Sequence, residues 1–231
     1  MFGRRKKDHD ETAAEATEPE TGAADAPQAG EDQGSAAAPY DRSQGPWDAS
    51  EREIPEDDPT FVDVGALIVH GRVGLDLQIP TDPETGVATS VVALAEESAV
   101  ELRAFAAPRG GGLWAEIRPE IIAEVERVGG KVDEVDSTFG RELRVEVPVQ
   151  APDGRQGVQA SRIIGVDGPR WLLRATFMGK LGSSSDPDSV LEQAVRDVVV
   201  VRGSTPMPPR EQIPVVVPAG AVRAEQPTTE A

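Results

Sequence analysis

The sequence has no cysteine and only two histidines, His9 and His70, among 231 residues. The first absence excludes a disulfide framework, a thiol nucleophile and a thiolate metal site. The second leaves little for a metal cage or a catalytic triad. No run approaches the roughly 20 apolar residues of a membrane helix, and Met1 to Asp10 lacks the apolar stretch of a secretory signal, so the expected compartment is the cytoplasm. Cations are scarce as well, with Lys+Arg 23 against Asp+Glu 41 and a formal charge of -18. That balance opposes phosphate contact and argues against a nucleic-acid partner.

The acidic excess is uneven. Residues 1–60 hold 6 basic and 16 acidic side chains, residues 61–203 hold 15 and 22, and the remainder hold 2 and 3. From Asp8 to Pro59 the chain is mostly Ala, Glu, Asp, Pro, Gly and Thr with hardly any branched apolar residue. Such a stretch cannot offset its backbone entropy by burial, so 1–60 is expected to be a disordered acidic arm with a basic start. Apolar periodicity begins at Phe61 and runs to Gly203, enough for one domain with a single core. Residues 204–231 read as an extended tail, because Pro206, Pro208, Pro209, Pro214 and Pro218 exclude helix, although Val215 to Val217 can lie along a sheet edge.

Within 61–203, Ala66 to His70, Val73 to Ile79, Val87 to Ala95 and Val100 to Ala106 alternate or cluster as strands. The period changes after Gly110-Gly111-Gly112. Leu113, Trp114, Ile117, Ile121, Ile122, Val125 and Val128 share a helical face, with regular turns expected from Arg118 so that Pro119 is the first helical residue. Strands follow over Val132 to Val135, Leu143 to Val149, Val158 to Val166 and Arg170 to Met178, with turns at Pro152-Asp153-Gly154 and Asp167-Gly168. That register pairs Ile164 with Trp171. A second helix carries Val190, Leu191, Ala194 and Val195, with Asp186 as its cap, and Val198 to Val201 is a last strand. The expected class is α+β: an antiparallel sheet of about seven to nine strands with one helix on each face.

Five segments resemble an actinobacterial family known as the domain of unknown function numbered 3710. They are Gly45-Pro46-Trp47-Asp48, Leu102 to Arg109, Pro152-Asp153-Gly154, Gly165 to Trp171 and Asp197 to Gly203. The resemblance spans roughly 45 to 215, implies a small cytoplasmic protein of high-GC Gram-positive bacteria, and brings no catalytic residue with it. The element order is also similar to the photosystem accessory protein (PsbP-like) sandwich, whose members bind other proteins.

No catalytic, cofactor-binding or metal residue is assigned, and an enzyme is not the expectation. The loop Gly179 to Ser185 offers Lys180, Gly182 and Ser183 to an anion at a helix start, yet Leu181 stands where a phosphate loop needs Ser or Thr. Arg162 falls on an apolar face with Leu143, Val145, Ile164 and Leu173, where it needs a carboxylate or carbonyl; it is either a structural ion pair or a ligand clamp. Glu96-Glu97, and Glu142 with Glu146, lack a pocket to tune them, and His70 stands alone. Arg4, Arg5, Lys6 and Lys7 suit at most weak contact with an anionic membrane. Tyr40 and Trp47 stand out in the polar arm as anchors, for a protein partner or for a latch of residues 45–60 across the sheet. The leading expectation is a non-catalytic protein-interaction or accessory module. The alternative is an anion- or small-ligand-binding domain, or an unfamiliar enzyme, built on Arg162 and the 179–185 loop.

Overall fold

In the computed structural model, residues 40–55, 57–151, 154–219 and 221 are described. Arg4, Arg5, Lys6 and Lys7 lie outside them, as do Pro152 and Asp153 of one expected turn. The centre is a seven-stranded antiparallel sheet in the order β4 (Asp76–Gln78), β5 (Val91–Ala95), β6 (Ser98–Ala106), β10 (Trp171–Gly179), β9 (Gln156–Gly168), β8 (Gly140–Gln150), β7 (Lys131–Ser137). A smaller sheet joins β1 (Trp47–Asp48), β11 (Val199–Val200), β3 (Leu67–His70) and β2 (Phe61–Asp63), with β1 parallel to β11. Three helices complete the fold: α1 (Leu113–Arg127), the single turn α2 (Lys180–Ser183) and α3 (Val190–Asp197). The α+β class follows.

Strand alternation gives the large sheet two apolar faces. On one, Val91, Val100, Leu102, Ile164, Leu173 and Phe177 pack in a core with Leu67 and Val69 of β3, Leu191 and Val195 of α3, and Val200 of β11. On the other, Leu143, Val145 and Leu172 pack with Leu113, Trp114 and Val125 of α1. Each buried side chain of this size contributes roughly 1.5–3 kcal/mol. One face is therefore covered by a helix, as expected, but the other takes α3 together with the small sheet. α1 lies over β7, β8 and β9.

Several expected details shift. α1 is regular from Leu113 with Pro119 inside it. Ala115, whose carbonyl loses its amide partner to the proline, faces solvent with Pro119, so water can replace that bond. Gly112 at its start has no side chain to cap with; the carboxylate of Asp167, from the β9–β10 turn, instead accepts from Trp114 N–H at 3.3 Å. α3 begins at Val190, capped by Ser189 rather than Asp186: the Ser189 hydroxyl accepts from Glu192 N–H at 3.3 Å. The β9–β10 hairpin turns at Pro169-Arg170, not Asp167-Gly168, with Gly168 opposite Trp171 and Ile164 opposite Ala175. This moves every pair without exchanging faces, because the offset is even.

The domain is larger than 61–203. Trp47 N–H donates to Val198 O at 2.8 Å and Ala49 N–H to Val200 O at 3.1 Å, which stitches residues 47–49 onto β11. Past residue 203, Ile213 and Val215 are buried, Ile213 N–H donates to Ala104 O at 2.9 Å, and Val215 bridges Gly65. Residues 40–55 and 206–216 are thus folded parts of the domain, against the expected boundaries at 60 and 204. Their local polarity hid long-range pairing.

Candidate functional site

Arg162 is on β9, opposite Arg144 of β8 and Phe177 of β10. The expected register placed it beside Leu143 and Val145. Those residues face α1, because Leu143 pairs with Ile163, and Glu142 takes the place beside Ile164. Arg162, Glu142 and Glu192 are all 0% exposed. The guanidinium donates through Nη2 to Glu142 Oε2 at 3.0 Å and through Nη1 to Glu192 Oε1 at 2.9 Å, with its carbon 4.9 Å from the Phe177 ring centroid. Burial works against its charge, but the bonds to Glu142 and Glu192 outweigh that and raise its pKa above the ordinary value. Arg144, at 46% exposure, donates from Nε to Glu142 at 3.2 Å and leads the network to the surface.

The 179–185 loop meets Arg162 with the polarity opposite to that of an anion cradle. Its first amides are occupied: Lys180 N–H donates to Glu97 O at 3.2 Å and Leu181 N–H to the Ser98 hydroxyl at 3.1 Å. Its carbonyls at Leu181 and Ser184 accept from Arg162 Nη1 at 3.3 and 3.2 Å. Gly182 is where α2 crosses β9, since a Cβ there would stand 2.7 Å from Ala160 O. Arg162 and the loop are brought together as partners of each other. Lys180 and Ser183 are exposed. Gly182 and Ser183 line an open cleft of about 420 Å³ with Lys131, Asp133, Arg144 and Glu146. Two cations and two carboxylates leave it with no net charge.

Tyr40 and Trp47 are both engaged by this chain. The Tyr40 ring lies 5.9 Å from that of Phe139, and its hydroxyl donates to Gly45 O at 3.0 Å and accepts from Arg196 Nη1 at 3.3 Å. Gly45 has φ +80° and passes so close to the Arg196 carbonyl that no Cβ fits. Trp47 is half-buried, its ring 6.0 Å from Arg52. The next residue makes the stronger tie: Asp48 accepts from Nε1 of the fully buried Trp171 at 2.7 Å, while Arg42 lies 5.2 Å from the Trp171 ring and donates to both Glu51 oxygens. His70, expected to stand alone, stacks on Phe61 at 4.5 Å with Nδ1 3.9 Å from Asp197, a carboxylate shared with Arg52 and Arg72.

One surface was not visible in the sequence. On the α1 side of the large sheet, the half formed by β5, β6 and the end of β10 presents Val92, Leu94, Ala99, Arg103, Arg174 and Met178, all partly exposed, while Val91, Ala93, Val100, Leu102, Ala175 and Phe177 on the opposite face are buried. Arg174 stands directly opposite Arg103. The alternation of each strand was legible. That α1 would lie over only β7 to β9 was not.

No helix among the described residues is long and apolar enough to cross a membrane. Comparison with curated proteins finds no match. A model of the family described as Protein of unknown function (DUF3710) matches residues 45–224, a span that opens at the close approach of Gly45 to Arg196 and takes in both sheets, all three helices and the packed segment after residue 203. The chain belongs to that family of unknown function.

Proposed function

We propose that the protein is a non-catalytic, cytoplasmic interaction module that engages a protein partner through the open half of its large sheet. The observation behind this reading is the row of partly exposed apolar side chains, Val92, Leu94, Ala99 and Met178, on a sheet face whose other half is covered by α1. A sheet face of this character gains by losing its water to a partner. The anion-binding alternative is not favoured, because Arg162 is saturated by Glu142, Glu192 and two carbonyls, and the nearby cleft carries balanced charge.

The test is affinity recovery from a host extract with the full chain, its Leu94→Glu variant, and Val73→Glu as a control at a fully exposed position. Proteins recovered with the wild type and with Val73→Glu but lost from Leu94→Glu support the reading. Recovery that is identical with all three, or a Leu94→Glu variant that melts well below the wild type and so explains its own loss, removes the support.

A further inference from the structure

We propose that the partner contributes an acidic peptide segment, in which a carboxylate docks on Arg174 and Arg103 and an apolar side chain four residues along the same face of the extended segment lies against Leu94 or Met178. This rests on the open half-sheet being the interaction face, and it names the chemistry that face selects. Arg174 and Arg103 are paired directly across β10 and β6, an arrangement in which like charges repel. Among the described residues one carboxylate is engaged with them: Arg103 Nη2 donates to Glu101 Oε1 at 2.7 Å, and Glu101 acts on Arg174 by charge alone. Among the described residues Arg174 makes no hydrogen bond or ion pair; its contact is with the Phe105 ring at 5.3 Å. Arg103 Nε is buried and also lacks a hydrogen-bond partner. Burial first, and the neighbouring Arg103 second, push the Arg174 pKa below its ordinary value against the weaker opposing charge of Glu101, so the pair is incompletely compensated as well as under-bonded.

The chemistry of the occupant follows from what surrounds the pair. A planar guanidinium with free donors recognises a carboxylate by paired hydrogen bonds, and such bonds are strong where water is partly excluded. Val92, Leu94, Ala99 and Met178, on the same face and up to four residues along the strands from the pair, would remain wet around a small inorganic anion, whereas an extended peptide that carries an acidic and an apolar side chain four residues apart presents both on one face and matches both features at once. Nucleic acid or an anionic membrane would need a broad cationic field. This face has two arginines, with Glu101 next to them and Asp76 farther along beside Leu94, on a chain of net -18. The remaining negative surface repels a polyanion too, but that repulsion is screened beyond about 10 Å at 0.1 M salt, which favours a segment with one or two carboxylates.

The test uses dye-labelled synthetic peptides and fluorescence anisotropy with the full chain. The first peptide carries a glutamate and a leucine four residues apart in an otherwise serine and threonine sequence, the second has glutamine for the glutamate, and the third has alanine for the leucine. The first should bind saturably. The second and third should bind about tenfold more weakly or worse, and Arg174→Gln and Arg103→Gln should each weaken the first peptide by a similar factor. Arg174→Gln relieves the like-charge pair without giving up a hydrogen bond, so it should melt no lower than the wild type; Arg103→Gln also gives up the bond to Glu101, so its affinity is read at a temperature where its melt shows it fully folded. Equal binding of the glutamate and glutamine peptides, unchanged affinity in both arginine variants, or no binding of any peptide would overturn the proposal. A concentration-dependent dimer that disappears in Leu94→Glu would do so as well, by giving the face to a second copy of the chain. If Leu94→Glu abolishes partner recovery while the peptides are not distinguished by charge, the interaction face stands and the acidic partner falls. If Leu94→Glu changes nothing, the face itself is wrong.

Discussion

Replacing Arg162 with Met should be among the most destabilising single changes in this domain, for an electrostatic reason that a second set of substitutions can isolate. Met fills much of the same volume against Phe177 and restores no hydrogen bond. Glu142 and Glu192, both fully buried, would lose the cation they share. Glu142 would keep Arg144 at 3.2 Å, and Glu192 would keep the Asp186 amide at 3.1 Å. The carbonyls of Leu181 and Ser184 would lose their donor, loosening the turn that ties β10 to α3. Breaking a buried pair from one side costs about 3–5 kcal/mol. For a domain of this size that lowers Tm by roughly 6–20 °C.

Urea unfolding followed by circular dichroism at pH 7, with calorimetry for Tm, measures the loss. Arg162→Met combined with Glu142→Leu and Glu192→Met should recover most of it, because replacing a whole buried ionic group by apolar side chains is often neutral or stabilising by about 1–4 kcal/mol. Arg162→Lys should fall between, since an ammonium keeps the charge but cannot pair bidentately with Glu142 while reaching Glu192. Two results refute the reasoning. One is an Arg162→Met variant within about 1 kcal/mol of the wild type, a difference ordinary for a point mutation. The other is a triple variant as unstable as the single one, which would assign the loss to packing.

Three further outcomes follow from the same contacts. Asp167→Ala should cost about 1 kcal/mol by uncapping α1, whereas Asp167→Asn, which keeps an acceptor for Trp114 N–H, should be nearly neutral in urea melts. Burial raises the Asp167 pKa despite the bonds from Trp114, Leu113 and Gly112, so its favourable contribution is full below the unfolded pKa of about 3.9 and is lost as pH rises through the higher folded value; the wild type should therefore gain on the Asn variant as pH falls. Asp48 has the opposite sign. Burial opposes its charge, but bonds from Ser50 and Trp171 and the charge of Arg42 prevail and lower its pKa, so its contribution is present above about pH 4 and lost as pH falls through the folded value. Asp48→Ala, which strands the Trp171 N–H, should cost about 1–3 kcal/mol and change tryptophan emission at pH 7. Lys180→Ala should shift stability by less than about 0.5 kcal/mol in the same melts, because the residue is exposed.

Which residues would be strand and which helix was largely legible, because alternation and helical spacing are local. What neighbouring strands do to each other was not. Alternation along β8 says that Glu142, Arg144 and Glu146 share a face opposite to Leu143 and Val145, and the ordinary inference is that the charged set faces water. Pairing with β9 turns that set toward α2 and α3, so Glu142 is buried while Arg144 and Glu146 are exposed beyond the cover. A signal did exist: Arg162 on an apolar face required a carboxylate, and Glu192 lies between Leu191 and Ala194 in the buried stripe of α3. Residues 40–55 carried a fainter signal, Tyr40 and Trp47 as anchors in a polar stretch, which did not name their partners, Trp171 and β11, more than a hundred positions away.

Arg162 and Arg174 show what this long-range dependence does to one residue type. They stand on adjacent strands, β9 and β10, and face opposite sides of the sheet. Each is a guanidinium partly or wholly removed from water on a sheet rich in apolar side chains. Over Arg162 the chain supplies its own cover, and the cover brings the charge that burial demands, as Glu192 from α3 and as carbonyls from the 181–184 turn. Over Arg174 the cover is missing, and the one carboxylate that acts on it by charge, Glu101, gives its hydrogen bond to Arg103. The energetic requirement met in full inside the protein at Arg162 is met only in part at Arg174, which is why a carboxylate arriving on a partner is the occupant that this surface favours.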